Sequence, residues 1–354
     1  IGGIKLWLDG SPQGKTAWLT EPFFQPPTGK EPPYRGYQTM TNADVEKYIE
    51  QAYRNDWQVL AHVNGDASID QYLNAIEMVG TRVSSTGRRT VAIHAQITRE
   101  DQLDRMKRLE VMPSFYAAHT YYWGDWHRNS VLGPQRAERI SPTKSALDRG
   151  MKFTTHADSP VIPPNALRIY WATVNRVTRS GLVLGADQRV DPETVLKALT
   201  IWGAWQYFEE DRKGSIEPGK LADLVILDND PLTVDPMTIQ NIKVLATAAK
   251  VGMNVPLTAR VLGWLCGACA IFFTHLIAQG EIDGTAATHA AKHPASKTSR
   301  RKQILSRSAL VFRTAAPATL PAPPRPDSMD ALNQLSPMSL SISFGNRLLQ
   351  RYPP

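Results

Sequence analysis

Three short apolar runs in this chain each end in a side chain able to bind a metal. They are Val59-Leu60-Ala61-His62, Val91-Ala92-Ile93-His94 and Phe153-Thr154-Thr155-His156-Ala157-Asp158. Neutral imidazoles gathered with a carboxylate suit a borderline cation such as zinc. A cation held that way lowers the pKa of bound water and supports hydrolysis near neutral pH. Runs of four to six apolar residues between polar loops read as buried parallel strands. In a (β/α)8 barrel the C-terminal ends of such strands open on one mouth, which would bring His62, His94 and Asp158 together.

The elements that must position these groups alternate along the first 230 residues. Ile4 to Asp9 alternates like a strand, with Lys5, Trp7 and Asp9 on one face. Val45, Tyr48, Ile49 and Ala52 recur at helical spacing, with Asn42 as the expected N-cap. Ile69, Tyr72, Leu73 and Ile76 form a second helical stripe, and Leu103, Met106 and Leu109 a third. Val111 to Phe115 reads as a short strand followed by a long aromatic loop from Tyr121 to Trp126. A helix around Ser145 to Arg149 precedes the strand that leads to Asp158. Ala166 to Val177 and Pro192 to Trp205 read as helices, and Leu221 to Asp228 as a strand after a Pro218-Gly219 turn. Strands separated by single helices imply parallel βαβ units. The pattern supplies five barrel strands, and the other three are expected upstream of Ile1.

Charge divides the chain in two. Residues 1–250 carry 29 Lys+Arg and 29 Asp+Glu, whereas residues 251–354 carry 11 and 4, which accounts for the whole net charge of +7. The basic excess therefore belongs to a tail and gives the main region no reason to seek an acidic partner. The only cysteines, Cys266 and Cys269, lie together in an apolar stretch and read as buried thiols, so a disulfide-built scaffold is excluded. Residues 261–278 are nearly all apolar, at the lower limit for a membrane span, so either a buried helix or membrane association is expected there. Residues 285–330 are rich in Ala, Pro, Ser, Lys and Arg and read as disordered. The Arg300-Arg301-Lys302 cluster has few aromatics near it and no nucleic-acid fold signature, so no specific nucleic-acid partner is expected.

Taken in order, five stretches resemble the amidohydrolase superfamily, in its amidohydrolase-3 branch, which includes N-substituted formamide deformylase-like enzymes. They are Lys5-Leu6-Trp7-Leu8-Asp9-Gly10-Ser11, His62-Val63-Asn64-Gly65-Asp66-Ala67, Ile93-His94-Ala95-Gln96, His156-Ala157-Asp158-Ser159-Pro160, and Gly214 through Val225 (GSIEPGKLADLV). The resemblance covers about residues 1–245. It implies an α/β fold: a partial (β/α)8 TIM-type barrel, strands four to eight, over residues 1–205. Part of a small β-sandwich follows at 206–246, then an apolar helix region at 247–284 and a basic, mostly disordered tail at 285–354. The family's sandwich would continue near Val244; here the sequence turns Ala-rich, which suggests a frameshift or fusion near Ala246.

The resemblance also implies roles. His62 and His94 would be metal ligands on strands five and six. Asp158 would bind metal and act as the catalytic proton acceptor. Lys5, if carbamylated, would bridge, since an unmodified ammonium has no acceptor. Apart from the resemblance, His119, Tyr122 and Trp123 read either as loop packing or as substrate contacts, because the long loops of a barrel carry specificity. The cofactor would be a divalent metal, zinc by preference, and the reaction hydrolysis of an amide or N-formyl C–N bond in a small molecule. The family's His-x-His pair of the first strand is absent, so a truncated gene product or a fragment is expected, and with it doubtful activity. A non-catalytic remnant, membrane-tethered or acting as a binding module, is the other reading.

Simpler readings stand beside these. Lys5 reads equally as a solvated or salt-bridged lysine at a strand opening, with Asp9 as the partner in the second case. Asp158 would otherwise cap the helix after Ser159-Pro160. His156 is expected to shape the mouth while facing away from its strand neighbours, with Asn64, Asp66 and Gln96 supporting the ligands. An open five-strand barrel exposes two edges and invites pairing with another copy. The cytoplasm is the expected compartment.

Overall fold

The computed structural model describes residues 2–252, all of which fall in one unit of the chain. The apolar runs become five parallel strands: β1 (Gly3–Trp7), β2 (Gln58–Val63), β3 (Val91–His94), β4 (Met112–Phe115) and β5 (Thr154–Thr155). They lie side by side in chain order, β1-β2-β3-β4-β5, so every link is a crossover back to the same end of the sheet.

The crossovers carry the helices α1 (Asn42–Arg54), α2 (Asp66–Gly80), α3 (Glu100–Arg108), α4 (His119–Trp126), α5 (Pro134–Ala137) and α6 (Thr143–Asp148). After β5 come α7 (Ala166–Asn175), α8 (Pro192–Leu199) and α9 (Ile201–Gln206). Stripes on α1 (Val45, Ile49, Ala52, Tyr53) and α2 (Ile69, Tyr72, Leu73, Ile76) pack with Leu6, Leu8, Val59, Ala61 and Val63 in one apolar cluster. Burial of that kind is the main force holding helix to sheet. The strand face that carries Trp7, Leu60, His62 and Ile93 is less buried, and Trp7 is 62% exposed.

Several local expectations change. Thr41, not Asn42, caps α1: its hydroxyl accepts the Asp44 N–H at 3.2 Å, and Asn42 is the first helical residue. The aromatic segment 121–126 is not a loop but the body of α4, which runs on into a π-helical turn at His127–Val131. Gly124 sits within it because a Cβ there would lie 2.6 Å from Thr178 Cγ2. The single helix expected over 192–205 is broken at Thr200, whose φ −123° and ψ −95° are not helical. The strand β6 (Leu221–Leu227) forms as expected, and it pairs antiparallel with β7 (Val244–Gly252). The second strand thus runs through and beyond Ala246, where the sequence pattern had faded. Residues 236–241 form a 3-10 turn against α7, where Trp171 Nε1 donates to Met237 O at 3.0 Å and Asn175 Nδ2 to Pro236 O at 2.8 Å.

Among the described residues no helix is long and apolar enough to cross a membrane. The expectations for 261–278, for Cys266 and Cys269 and for the basic tail lie outside the described residues.

Candidate functional site

Strand register sets out the site. Trp7, His62, Ile93, Ser114 and Thr154 lie level across the sheet, one on each strand, and His94 lies level with Val63, one step further on. Strict alternation would therefore aim His62 and His94 at opposite faces. The backbone intervenes: His94 (φ 72°) and Ala95 (φ 42°) both adopt left-handed geometry as β3 ends. This conformation is uncommon outside glycine and tends to persist where structure over-determines it. With the chain turned out of the pleat, the two imidazoles meet edge to face with centroids 4.5 Å apart.

From there one line of rings crosses the sheet. His94 Nδ1 lies 3.0 Å from His156 Nε2, and His156 Nδ1 lies 3.1 Å from Ser114 Oγ. Tyr116 stacks on His156 at 5.3 Å and meets His119 edge-on at 4.3 Å. His119 Nδ1 lies 3.0 Å from His127 Nε2, their rings stacked 5.2 Å apart at 12°. All five histidines among the described residues thus belong to one continuous array. Burial, then neighbouring imidazoles, hold the pKa of His94 and of His119 well below the ordinary value. Burial pushes His127 down to about 3, and His156 also to about 3, there with help from the Lys5 and His62 charges. These rings are neutral bases at physiological pH.

Asp9 anchors the other end. The carboxylate is fully buried and accepts four hydrogen bonds: Trp18 N–H (3.1 Å), Asn64 N–H (3.0 Å), Gly65 N–H (2.8 Å) and Ser68 Oγ (2.9 Å). Gly65 is required there, because a Cβ would come within 1.9 Å of Trp18 O. His62 Nδ1 lies 3.3 Å from Asp9 Oδ1 but at an angle that leaves it without a hydrogen bond. Asn64 Nδ2, donating to Gly10 O at 2.9 Å, lies 3.4 Å from His62 Nε2.

The expected residues are distributed as follows. His62 and His94 come together, and His156, expected to turn away, stands between His94 and Ser114 instead. It lies past the last residue of β5, so strand alternation no longer governs it. Lys5 is exposed on β1 and is not the partner of Asp9; its charge is felt by His94 and His156. Asp158 lies beyond β5 in a left-handed turn (φ 52°), where its charge, after burial, raises the pKa of the Tyr116 hydroxyl. His119 and Trp123 pack at 4.8 Å, and Trp123 meets Tyr122 at 5.7 Å. Among the described residues no three His, Cys, Asp or Glu side chains are arranged to hold one metal ion. The donor chemistry nevertheless suits a cation: His94 Nε2 is a buried nitrogen with no hydrogen-bond partner, and His62, whose Nδ1 faces Asp9, has Nε2 as its remaining ring nitrogen. Tyr116 and His127 were missed by sequence reasoning, although the eight-residue spacing of His119 and His127 within an aromatic run was a usable signal.

Comparison with known proteins identifies the family. A family model described as "Amidohydrolase family" matches residues 1–250. A putative amidohydrolase, YtcJ, of Bacillus subtilis is 25% identical over 254 residues, covering 70% of this chain and 46% of that protein. The N-substituted formamide deformylase of Arthrobacter pascens is 28% identical over 207 residues, 58% of this chain and 38% of that enzyme. The crystal structure of an uncharacterized metal-dependent hydrolase from Pyrococcus horikoshii superposes with a TM-score of 0.57 at 29% identity, covering 67% of this chain and 46% of that one. The chain spans less than half the length of these relatives.

Proposed function

The chain belongs to the amidohydrolase family, and from that premise we propose that it is part of a metal-dependent hydrolase of non-peptide C–N bonds, such as amides or N-formyl groups. Its five parallel strands would be strands four to eight of a (β/α)8 barrel, with β6 and β7 as part of a small sandwich. That placement puts the array of rings at the C-terminal ends of the strands, where such barrels bind substrate.

His62 and His94 would hold a divalent metal, zinc by preference, with Asp158 joining by rotation of its side chain and Lys5 as a carbamate. When bound, the metal would act as a Lewis acid and lower the pKa of water towards about 7. Asp158 would take the water's proton and pass it to the leaving nitrogen. Asp9 would keep His62 in place, as carboxylates behind ligand histidines do. His119, Tyr122 and Trp123 would contact the substrate, their flat apolar faces suiting an aryl or alkyl substituent.

The observation that carries this reading is the meeting of His62 and His94 at adjacent strand ends, with His62 backed by Asp9 and His94 Nε2 buried and unpartnered. Metal content of the full chain by elemental mass spectrometry tests it, against a His62→Ala/His94→Ala control. Near-stoichiometric metal that disappears in the control supports the site; equal metal in both, or none, removes it. A second reading is a non-catalytic binding module of the same ancestry. That reading predicts no bound metal.

A further inference from the structure

The His119–His127 pair is a buried polar unit in which one nitrogen has no partner, and the distribution of protons is decided by what surrounds it. Both rings are buried, at 2% and 0% exposure, and His119 Nδ1 faces His127 Nε2 across 3.0 Å. One proton lies between these atoms. His127 Nδ1, on the far edge, is buried and has no partner.

Two neutral arrangements exist. If His119 Nδ1 carries the shared proton, His127 must hold its own on Nδ1, leaving an N–H donor buried with no acceptor. If His127 Nε2 carries it, His127 Nδ1 keeps only an unmet lone pair, and the pair's other N–H moves to His119 Nε2, which unlike His127 Nδ1 is not a buried atom without a partner. Orphaned buried donors are the rarer and costlier defect, so the second arrangement is favoured. His119 Nδ1 then accepts, and the one proton of the neutral His119 ring sits on Nε2. Charged forms do not compete, because burial holds both rings below their ordinary pKa.

We propose that His127 fixes the tautomer of His119 so that His119 presents an Nε2–H donor to the carbonyl oxygen of a bound amide-type substrate. The catalytic donor is His119, and His127 is a positioning residue. This role rests on the hydrolase reading above. His119 packs against Tyr116 and Trp123 and lies close enough to His94 and His156 to be coupled electrostatically to both, which joins it to the ring array that carries the hydrolase reading. As water's oxygen bonds to the acyl carbon and the C–N bond breaks, negative charge develops on the carbonyl oxygen. A fixed N–H stabilises that charge without transferring its proton. Water's proton goes to the leaving nitrogen, and His119 ends the cycle unchanged.

The test uses the full chain labelled with 15N-histidine, in long-range 1H–15N correlation spectra at pH 7.5. The His119 signals are identified by their loss in His119→Gln. The expected result is a proton on Nε2 in the unaltered chain and in His127→Gln, whose amide N–H replaces the donor, and a tautomer mixture in His127→Leu. A proton on Nδ1 of His119 in the unaltered chain overturns the proposal, and this holds even if His127→Leu fails to fold. With the zinc-loaded chain and an N-formyl aryl amine as probe, kcat should fall about 100-fold in His127→Leu and recover in His127→Gln, with KM little changed. Unchanged kcat in His127→Leu removes the donor role. No turnover in the zinc-loaded unaltered chain removes the hydrolase reading and the donor role with it, whereas the tautomer result needs neither metal nor substrate.

Discussion

Arg176 and His94 are both nearly inaccessible, yet their polar atoms are committed in opposite ways. Arg176 follows α7 in a left-handed conformation (φ 53°) and is fully buried. Its guanidinium donates to Leu184 O (2.8 Å), Ser141 O (3.0 Å) and Ile140 O (2.6 Å), tying the end of α7 to two other segments. His94, also left-handed, keeps Nε2 buried and unpartnered. Two strained backbones thus serve different ends. At Arg176 the buried charge is consumed by the fold. At His94 a lone pair is left over, and a buried base held with spare capacity is where a ligand finds something to bind.

Substitutions can break this contrast. Arg176→Met should have the largest effect, because three carbonyls lose their donor at once. A loss of about 3–5 kcal/mol is expected, seen as a lower urea midpoint at constant m. Asp9→Asn comes next: an amide NH2 turned towards groups that are themselves donors should cost about 2 kcal/mol. It should also weaken metal retention, since His62 loses its anchor. A change at Asp9 that left both quantities intact would show that the carboxylate is incidental.

The pH dependence sharpens the same point. The folded pKa of His127, about 3, lies below the ordinary 6.5, so the unfolded chain binds the extra proton between those values. Stability from this residue is complete above about pH 6.5 and is lost as pH falls towards 3, by about 1.4 kcal/mol per unit. Replacing His127 with Phe should flatten the acid limb of a denaturation series by that slope. His94→Leu should do least to stability, within about 1 kcal/mol, because it removes an unsatisfied atom along with one hydrogen bond, to His156, while leucine keeps apolar contact with the neighbouring rings. A large loss there would mean that the ring is a structural member like Arg176.

The sequence already marked what burial dictates. Five strands and the stripes on α1 and α2 follow from apolar periodicity, and the positions of His62 and His94 at strand ends follow with them. What it hid depended on single backbone angles and on partners far along the chain. No pattern signals that His94 leaves the pleat, and alternation therefore misdirected His156 as well. The segment 121–126 looked like a loop because a glycine interrupts an aromatic run. That glycine answers to Thr178, more than fifty residues away. Thr41 displaced Asn42 as cap by a shift of one residue, because its hydroxyl reaches the Asp44 N–H. Asp9 was visible as a strand residue, but its four donors come from two segments, at Trp18 and at 64–68, that only folding brings to it.

That convergence has a consequence in time. The amides of Trp18, Asn64 and Gly65 all end on one carboxylate, and none can be exposed to solvent without uncovering a charge that the others still hold. Opening of the segment at Trp18 and opening of the turn between β2 and α2 are then a single event. In hydrogen exchange the three amides should lose protection together, at one rate, although up to 47 residues separate them in sequence.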